Sequence, residues 1–320
     1  MTRYRLKAYF YLIAVAGIWG AAGPIIKFTL GGIDPLPFLA YRFTIAAIFS
    51  ALFFLVKVTR GKKFKKLRAN FSLALIYGVL AVPFALGTLF AGLDKSTVLD
   101  MTLIGIVGPL VVTAGSVFFF RESITKREKK GIAIVLLGVI LNSFFPLFFS
   151  PQSSKLTGNL LLLLFLLGDS ASILIAKRAV QKKIKSANLT NLAFIIGALI
   201  VVPLAIIIYG SDLVKIISAL PLKYHLGVWY MALLSGNLAY FLYVRGQRTI
   251  EVSEAILFNY LQPIFQIPLA IFWLGESVTS SFIIGALIIA LGLVVAEYKG
   301  KKTAGVESRK SRLYNNTHEG

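Results

Sequence analysis

The sequence predicts an all-α integral membrane protein, with ten transmembrane helices arranged as two inverted five-helix repeats, and three observations carry that expectation. Apolar residues make up 57% of the 320 residues and charged ones only 15%, with a mean hydropathy of +0.80, which is more apolar surface than one soluble core can hide. The basic residues are concentrated in alternate gaps between apolar runs. Four motif residues recur at one constant offset along the chain.

At about twenty apolar residues per crossing, spans fall at roughly 9–28, 36–56, 70–91, 98–120, 131–149, 157–176, 190–209, 225–244, 253–274 and 281–298. The first follows Arg3, Arg5 and Lys7 as a signal peptide would. It is nevertheless long enough to cross, and no small-x-small cleavage site precedes a soluble domain, so it reads as a span. With the N-terminus placed in the cytoplasm, 28 of the 34 Lys and Arg residues fall on the cytoplasmic side. Lys95, Lys155, Lys215 and Lys223 fall on the other, and Lys27 and Arg42 lie inside spans. That asymmetry is what the positive-inside rule gives for an even number of spans with both termini cytoplasmic. The tail from 299 to 320 is polar and basic and reads as disordered.

A net charge of +21 would suggest nucleic acid in a soluble protein, but here the charges sit in short gaps between apolar runs, so no nucleic-acid partner is expected. The partner they imply is the lipid bilayer. The absence of cysteine removes disulfides, thiol nucleophiles and Cys-ligated metals. The two histidines, His225 and His318, are far apart, so no metal or cofactor is expected.

Pro109, Glu122, Gly131 and Gly138 recur as Pro263, Glu276, Gly285 and Gly292, each at an offset of 154. These match spans 4 and 5 to spans 9 and 10, which gives five helices per repeat, 8–149 and 156–298. An odd number forces the second copy to enter from the opposite side. Inverted repeats of this kind put a ligand site near the bilayer midplane and let its two sides open alternately, which is the logic of a transporter.

At these residues the sequence resembles the EamA-like family of the drug/metabolite transporter superfamily, whose ten-helix members carry two such repeats. The likeness is closest in Ile104-Gly-Ile-Val-Gly-Pro109 through Phe120-Arg-Glu122-Ser to Gly138, and in Asn259-Tyr-Leu-Gln-Pro263 through Leu274-Gly-Glu276 to Gly292. Trp19-Gly20 and Arg42 also fit the family pattern, whereas Asp169 stands where that pattern leads one to expect an aromatic or small residue. The resemblance implies transport of small organic solutes and, for its home, a prokaryotic plasma membrane.

Several residues are candidates to carry that work. Asp169 lies near mid-span, where an ionised carboxylate is costly unless it faces a partner or water, so it reads as functional, with a protonated packing residue as the alternative. It pairs with Trp19 at an offset of 150. Asn259, Gln262 and Gln266 form one polar stripe on span 9, which lipid would not tolerate facing outward. Asn237 and Tyr240 on span 8 extend the same expected pocket.

Asp100 and Glu254 match at 154. They read either as helix caps, Thr97-x-x-Asp100 being a capping box, or as gates paired with Lys27, Arg42 or the arginines Arg245 and Arg248. Lys27 and Arg42 could otherwise snorkel to an interface. Glu122 and Glu276 read as acids capping the starts of helices, and Pro109 and Pro263 as mid-helix kinks or hinges. Gly17, Gly20 and Gly23 predict close approach of another helix to span 1.

The reading that follows is a secondary transporter of amino acids or related metabolites, with Asp169 as the proton carrier if transport is proton-coupled. A phosphate-binding GxxxxGK[ST] loop is absent, so ATP hydrolysis is not intrinsic. The alternatives are an organic-anion exchanger for sugar phosphates or nucleotide sugars working at Lys27 and Arg42, and, remotely, a membrane enzyme modifying lipids, for which no HxxxxD or DDxxD pattern is present.

Overall fold

The computed structural model describes residues 3–59, 64–120, 124–144, 155–246 and 258–297. Glu122, Arg248, Glu254 and the tail from 299 lie outside the described residues. The described chain is helical, without strands. Its long helices are α1 (Arg3–Leu30), α2 (Pro35–Thr59), α3 (Phe71–Lys95), α4 (Val98–Phe120), α5 (Lys126–Phe144), α6 (Lys155–Gln181) and α7 (Ser186–Tyr209). They continue as α8 (Leu222–Trp229, running on through Tyr230–Leu238 and Ala239–Gly246), α9 (258–273) and α10 (Ser280–Glu297).

Seven of these, α1 to α4 and α6 to α8, are long and apolar enough to cross a membrane. In hydrocarbon a helix satisfies its backbone internally, so apolar runs of this length have little other choice. Large apolar side chains point outward along them, Phe118 at 85% and Ile207 at 79% exposure among them, as lipid-facing surface requires.

Helix contacts are set largely by glycine. α5 and α10 cross antiparallel at Gly131, Gly138, Gly285 and Gly292, the four glycines of the repeated motif. A Cβ on Gly131 would stand 2.6 Å from the Ala296 backbone nitrogen, and one on Gly292 would stand 2.8 Å from the Val135 nitrogen. Gly138 and Gly285 face each other's carbonyls at 3.1 and 3.3 Å. α1 meets α9 in the same manner, with Gly20 against the Gln262 carbonyl and Gly23 against the Gln266 amide, which is the close approach expected for this face.

Each of the two prolines stands beside a break in its helix. α4 is interrupted at Ile106–Val107, and Pro109 falls in the first turn of the resumed segment Gly108–Phe120. Pro263 is the second residue of Gln262–Pro268, just after the 3-10 turn Phe258–Leu261. A proline ring clashes with the carbonyl four residues back, so the regular ladder gives way upstream and the ring lands in a first turn, where its missing N–H costs nothing. Wide π-helical turns occur at Leu80–Phe84, around Pro83, at Tyr230–Leu238, and at Leu269–Trp273, just after Pro268.

Two helix ends are secured by unexpected means. Glu276 was expected to cap the helix after it. Its carboxylate instead accepts from the Val98 and Leu99 amides at 2.7 and 3.0 Å, closing the start of α4 from 178 residues away in sequence. Burial raises the Glu276 pKa above the ordinary glutamate value, and the two amides and the Lys27 ammonium draw it back. At the end of α6, Ile184 N–H reaches the Ala179 carbonyl and Lys183 N–H the Val180 carbonyl, a Schellman closure. That closure holds Lys183 at φ 63°, a left-handed position where glycine is usual.

Gly131→Ala should destabilise the fold by about 1–3 kcal/mol, because backbone atoms cannot yield to the new methyl group, while Gly105→Ala, which meets open space, should be near neutral. Chemical unfolding in detergent compares the two. Lys183→Gly should stabilise by up to about 1 kcal/mol by relieving the left-handed strain, read in the same assay.

Candidate functional site

Asp169 lies near the middle of α6 and is partly exposed, neither sealed in the core nor turned wholly outward. Ser172, one turn along, donates its hydroxyl to the Asp169 carbonyl at 2.8 Å, and both Ser172 and Ser170 are buried. Facing the carboxylate are two tyrosines from other helices, Tyr77 on α3 and Tyr240 on α8, whose hydroxyls are hydrogen-bonded to each other and to Thr190 on α7. Both lie within electrostatic reach of Asp169. Three hydroxyls from three helices are therefore hydrogen-bonded together within electrostatic reach of one acid on a fourth, a polar cluster inside an apolar bundle able to offer hydrogen bonds to a ligand.

Trp19 on α1 closes one side of this group. Its ring meets Tyr240 edge-on at 5.8 Å and tilts against Tyr243 at 5.2 Å. The indole Nε1 donates to the Ser235 carbonyl at 3.0 Å, within the π-helical stretch of α8, and Tyr230 from the same stretch donates back to the Ile18 carbonyl at 2.7 Å. Asn237 spends its amide on the Ala232 carbonyl at 3.2 Å, one of the backbone acceptors that a π turn leaves open. The expected association of Trp19, Asp169 and Tyr240 is thus present in the geometry, with Asn237 acting on its own helix.

The polar stripe of α9 turns inward to α1 and α4. Gln262 donates to Asn259 Oδ1 at 3.3 Å, and Gln266 is buried against Gly23 with its Nε2 3.8 Å from Met101 Sδ.

Among the described residues, Asp100 is paired with neither Lys27 nor Arg42, the partners expected for it at the outer gate. Asp100 accepts from the Thr97 hydroxyl and from Asn142 Nδ2, each at 2.8 Å, and its own amide bonds Thr97 Oγ1, which makes it a helix cap. Ser96 beside it is hydrogen-bonded to Asn159. Lys27 donates to the carbonyls of Leu93 and Asp94, at 2.6 and 3.1 Å, and so charges the end of α3. Arg42 does not snorkel. It is 4% exposed, with its guanidinium over the rings of Phe43 and Phe90 at 5.6 and 5.4 Å. Glu254 of the expected inner gate, and Arg248, one of the two arginines expected to pair with it, lie outside the described residues.

Tyr77 and Thr190 were missed by sequence reasoning. A signal existed for the first, the one tyrosine in α3, while Thr190 is hidden among the polar residues that open α7.

The profile of the EamA-like transporter family matches residues 6–144 and again 156–298. The uncharacterized transporter YyaM of Bacillus subtilis (strain 168) is 24% identical over 297 residues, covering 91% of this chain and 93% of that protein. A probable amino-acid metabolite efflux pump of Salmonella typhimurium is 23% identical, over 94% of this chain and 98% of the pump. A protein of known crystal structure shares the fold, with a TM-score of 0.61 at 16% identity over 92% of this chain and 98% of that one. On these matches, the chain belongs to the EamA-like transporter family.

Proposed function

We propose that the protein is a secondary transporter of amino acids or related small metabolites, working by alternating access and coupled to protons through Asp169. In this reading ten helices cross the plasma membrane as two inverted five-helix halves, 8–149 and 156–298, with both termini in the cytoplasm. The observation that carries it is the polar cluster itself: a mid-helix carboxylate within electrostatic reach of Tyr77 and Tyr240, which are hydrogen-bonded to each other and to Thr190, with Trp19 against Tyr240.

The duplicated family match and the offset of 154 support the two halves. So does the α5–α10 seam, since adding 154 to Gly138 and subtracting it from Gly285 turns the contact between them into that between Gly292 and Gly131. π-helical turns in both α3 and α8, the third helix of each half, point the same way. The name of the Salmonella relative supports the substrate class. Gln262, Gln266 and Asn259 then supply hydrogen bonds on the α9 side, Lys27, Asp100 and Glu254 belong to the gating regions, and Pro109 and Pro263 mark the points where α4 and α9 flex.

A second reading, exchange of organic anions, is favoured by one observation. Arg42 Nε and Nη1 are buried without a hydrogen-bond partner, and an anionic group would complete them.

In proteoliposomes supplied with labelled amino acids, an imposed pH gradient of about one unit should drive up to about tenfold accumulation of label by a carrier that moves one proton per turnover. Asp169→Asn should remove that response while leaving exchange at equal pH. A pH response unchanged in the variant would overturn the coupling role. Phosphorylated compounds should fail to displace labelled amino acid. If they do displace it, and Arg42→Gln abolishes the displacement while Arg42→Lys does not restore it, the anion reading replaces the first.

A further inference from the structure

At the end of the bundle where the α2–α3 and α6–α7 connections meet, the fold encloses a cavity of about 170 Å³ lined by Lys57, Lys65, Lys66, Lys183, Lys185 and Asn188. No carboxylate lines it, and the sequence offers none nearby. No Asp or Glu occurs between Asp34 and Asp94, nor between Asp169 and Asp212. Topology signals require basic residues at this end but do not require them to converge. Lys126, Lys129 and Lys130 of α5 stay outside the cavity.

Three further features shape the site. Asn188 is buried in its wall and holds the Lys57 ammonium at 2.5 Å, which fixes one cation in place. Lys183 is kept at the left-handed turn between α6 and α7 despite its strain. The 24-residue α7 opens on Lys185 with neither a capping side chain nor an acidic residue in its first turn, so its positive dipole end adds to the same field. Phe64, Leu67 and Ile184 complete the lining with apolar surface.

We propose that this cavity binds a phosphate group, carried either by an anionic lipid headgroup at the membrane surface or by a soluble phosphate compound. The site is separate from the Asp169 group and does not depend on the substrate assigned to that group. Lysines supply point charges suited to phosphate oxygens, and basic residues at this end of the bundle suit an anionic headgroup at the membrane surface.

The test uses the full-length protein in nanodiscs of phosphatidylcholine, with and without phosphatidylglycerol, and with inorganic phosphate titrated at fixed ionic strength. At least one of the two should raise the unfolding midpoint by about 3 °C or more. A rise with phosphatidylglycerol alone assigns a lipid headgroup, and a rise with inorganic phosphate assigns a soluble ligand. The combined variant Lys65→Gln, Lys66→Gln, Lys183→Gly, Lys185→Gln should lose the rise, whereas Lys129→Gln with Lys130→Gln should keep it. If the combined variant does not fold, Lys183→Gly and Lys185→Gln taken singly should each show a reduced rise. No rise with either anion, an equal loss in the α5 control, or a full rise in both single variants would overturn the proposal.

Discussion

Hydrocarbon supplies no hydrogen bonds, so each departure from a regular helix in this bundle must be repaired by another part of the protein. The repairs converge. The π-helical stretch of α8 exposes carbonyls that Trp19 and Asn237 take up, and returns a bond from Tyr230 to Ile18. The breaks in α4 and α9 fall beside the prolines, where no donor is missing. Backbone irregularity and site therefore share one cause. A bundle of uniform α-helices would bury its backbone completely and leave few openings among helices, while locally widened turns create them and recruit the polar side chains that line them.

The charges divide into two populations. In the α2–α3 and α6–α7 connections they are numerous and the sequence there contains no Asp or Glu. Within the apolar bundle they are few and individually placed: Asp169 among hydroxyls, Arg42 between two aromatic rings, Lys27 on the carbonyls that end α3. Isolation in the low-dielectric interior is what makes each of the second group consequential, since a single ligand charge changes its surroundings more than any distant residue can.

Much of the fold was legible in the sequence because the relevant signals are collective. Long apolar runs announce helices, and Gly131, Gly138, Gly285 and Gly292 stand out through their common spacing before their contact is seen. Trp19, Asp169 and Tyr240 were also legible, each being unusual at the middle of a span. What stayed hidden depended on neighbours remote in sequence. Nothing local tells that Glu276 reaches the first amides of α4, or that Tyr77 and Thr190 share a hydrogen bond, because each pairing is fixed by how helices are laid side by side. The prolines mark the breaks in α4 and α9, though the exact residues that leave the helix lie just upstream of them.

The glycine seam between α5 and α10 has a mechanical meaning. Contacts made through side chains can adjust by changing rotamer. Where backbone meets backbone there is no rotamer left to change, and the two helices move together or separate altogether. The seam is therefore the stiffest join in the bundle, a place where any displacement of one helix is passed whole to the other.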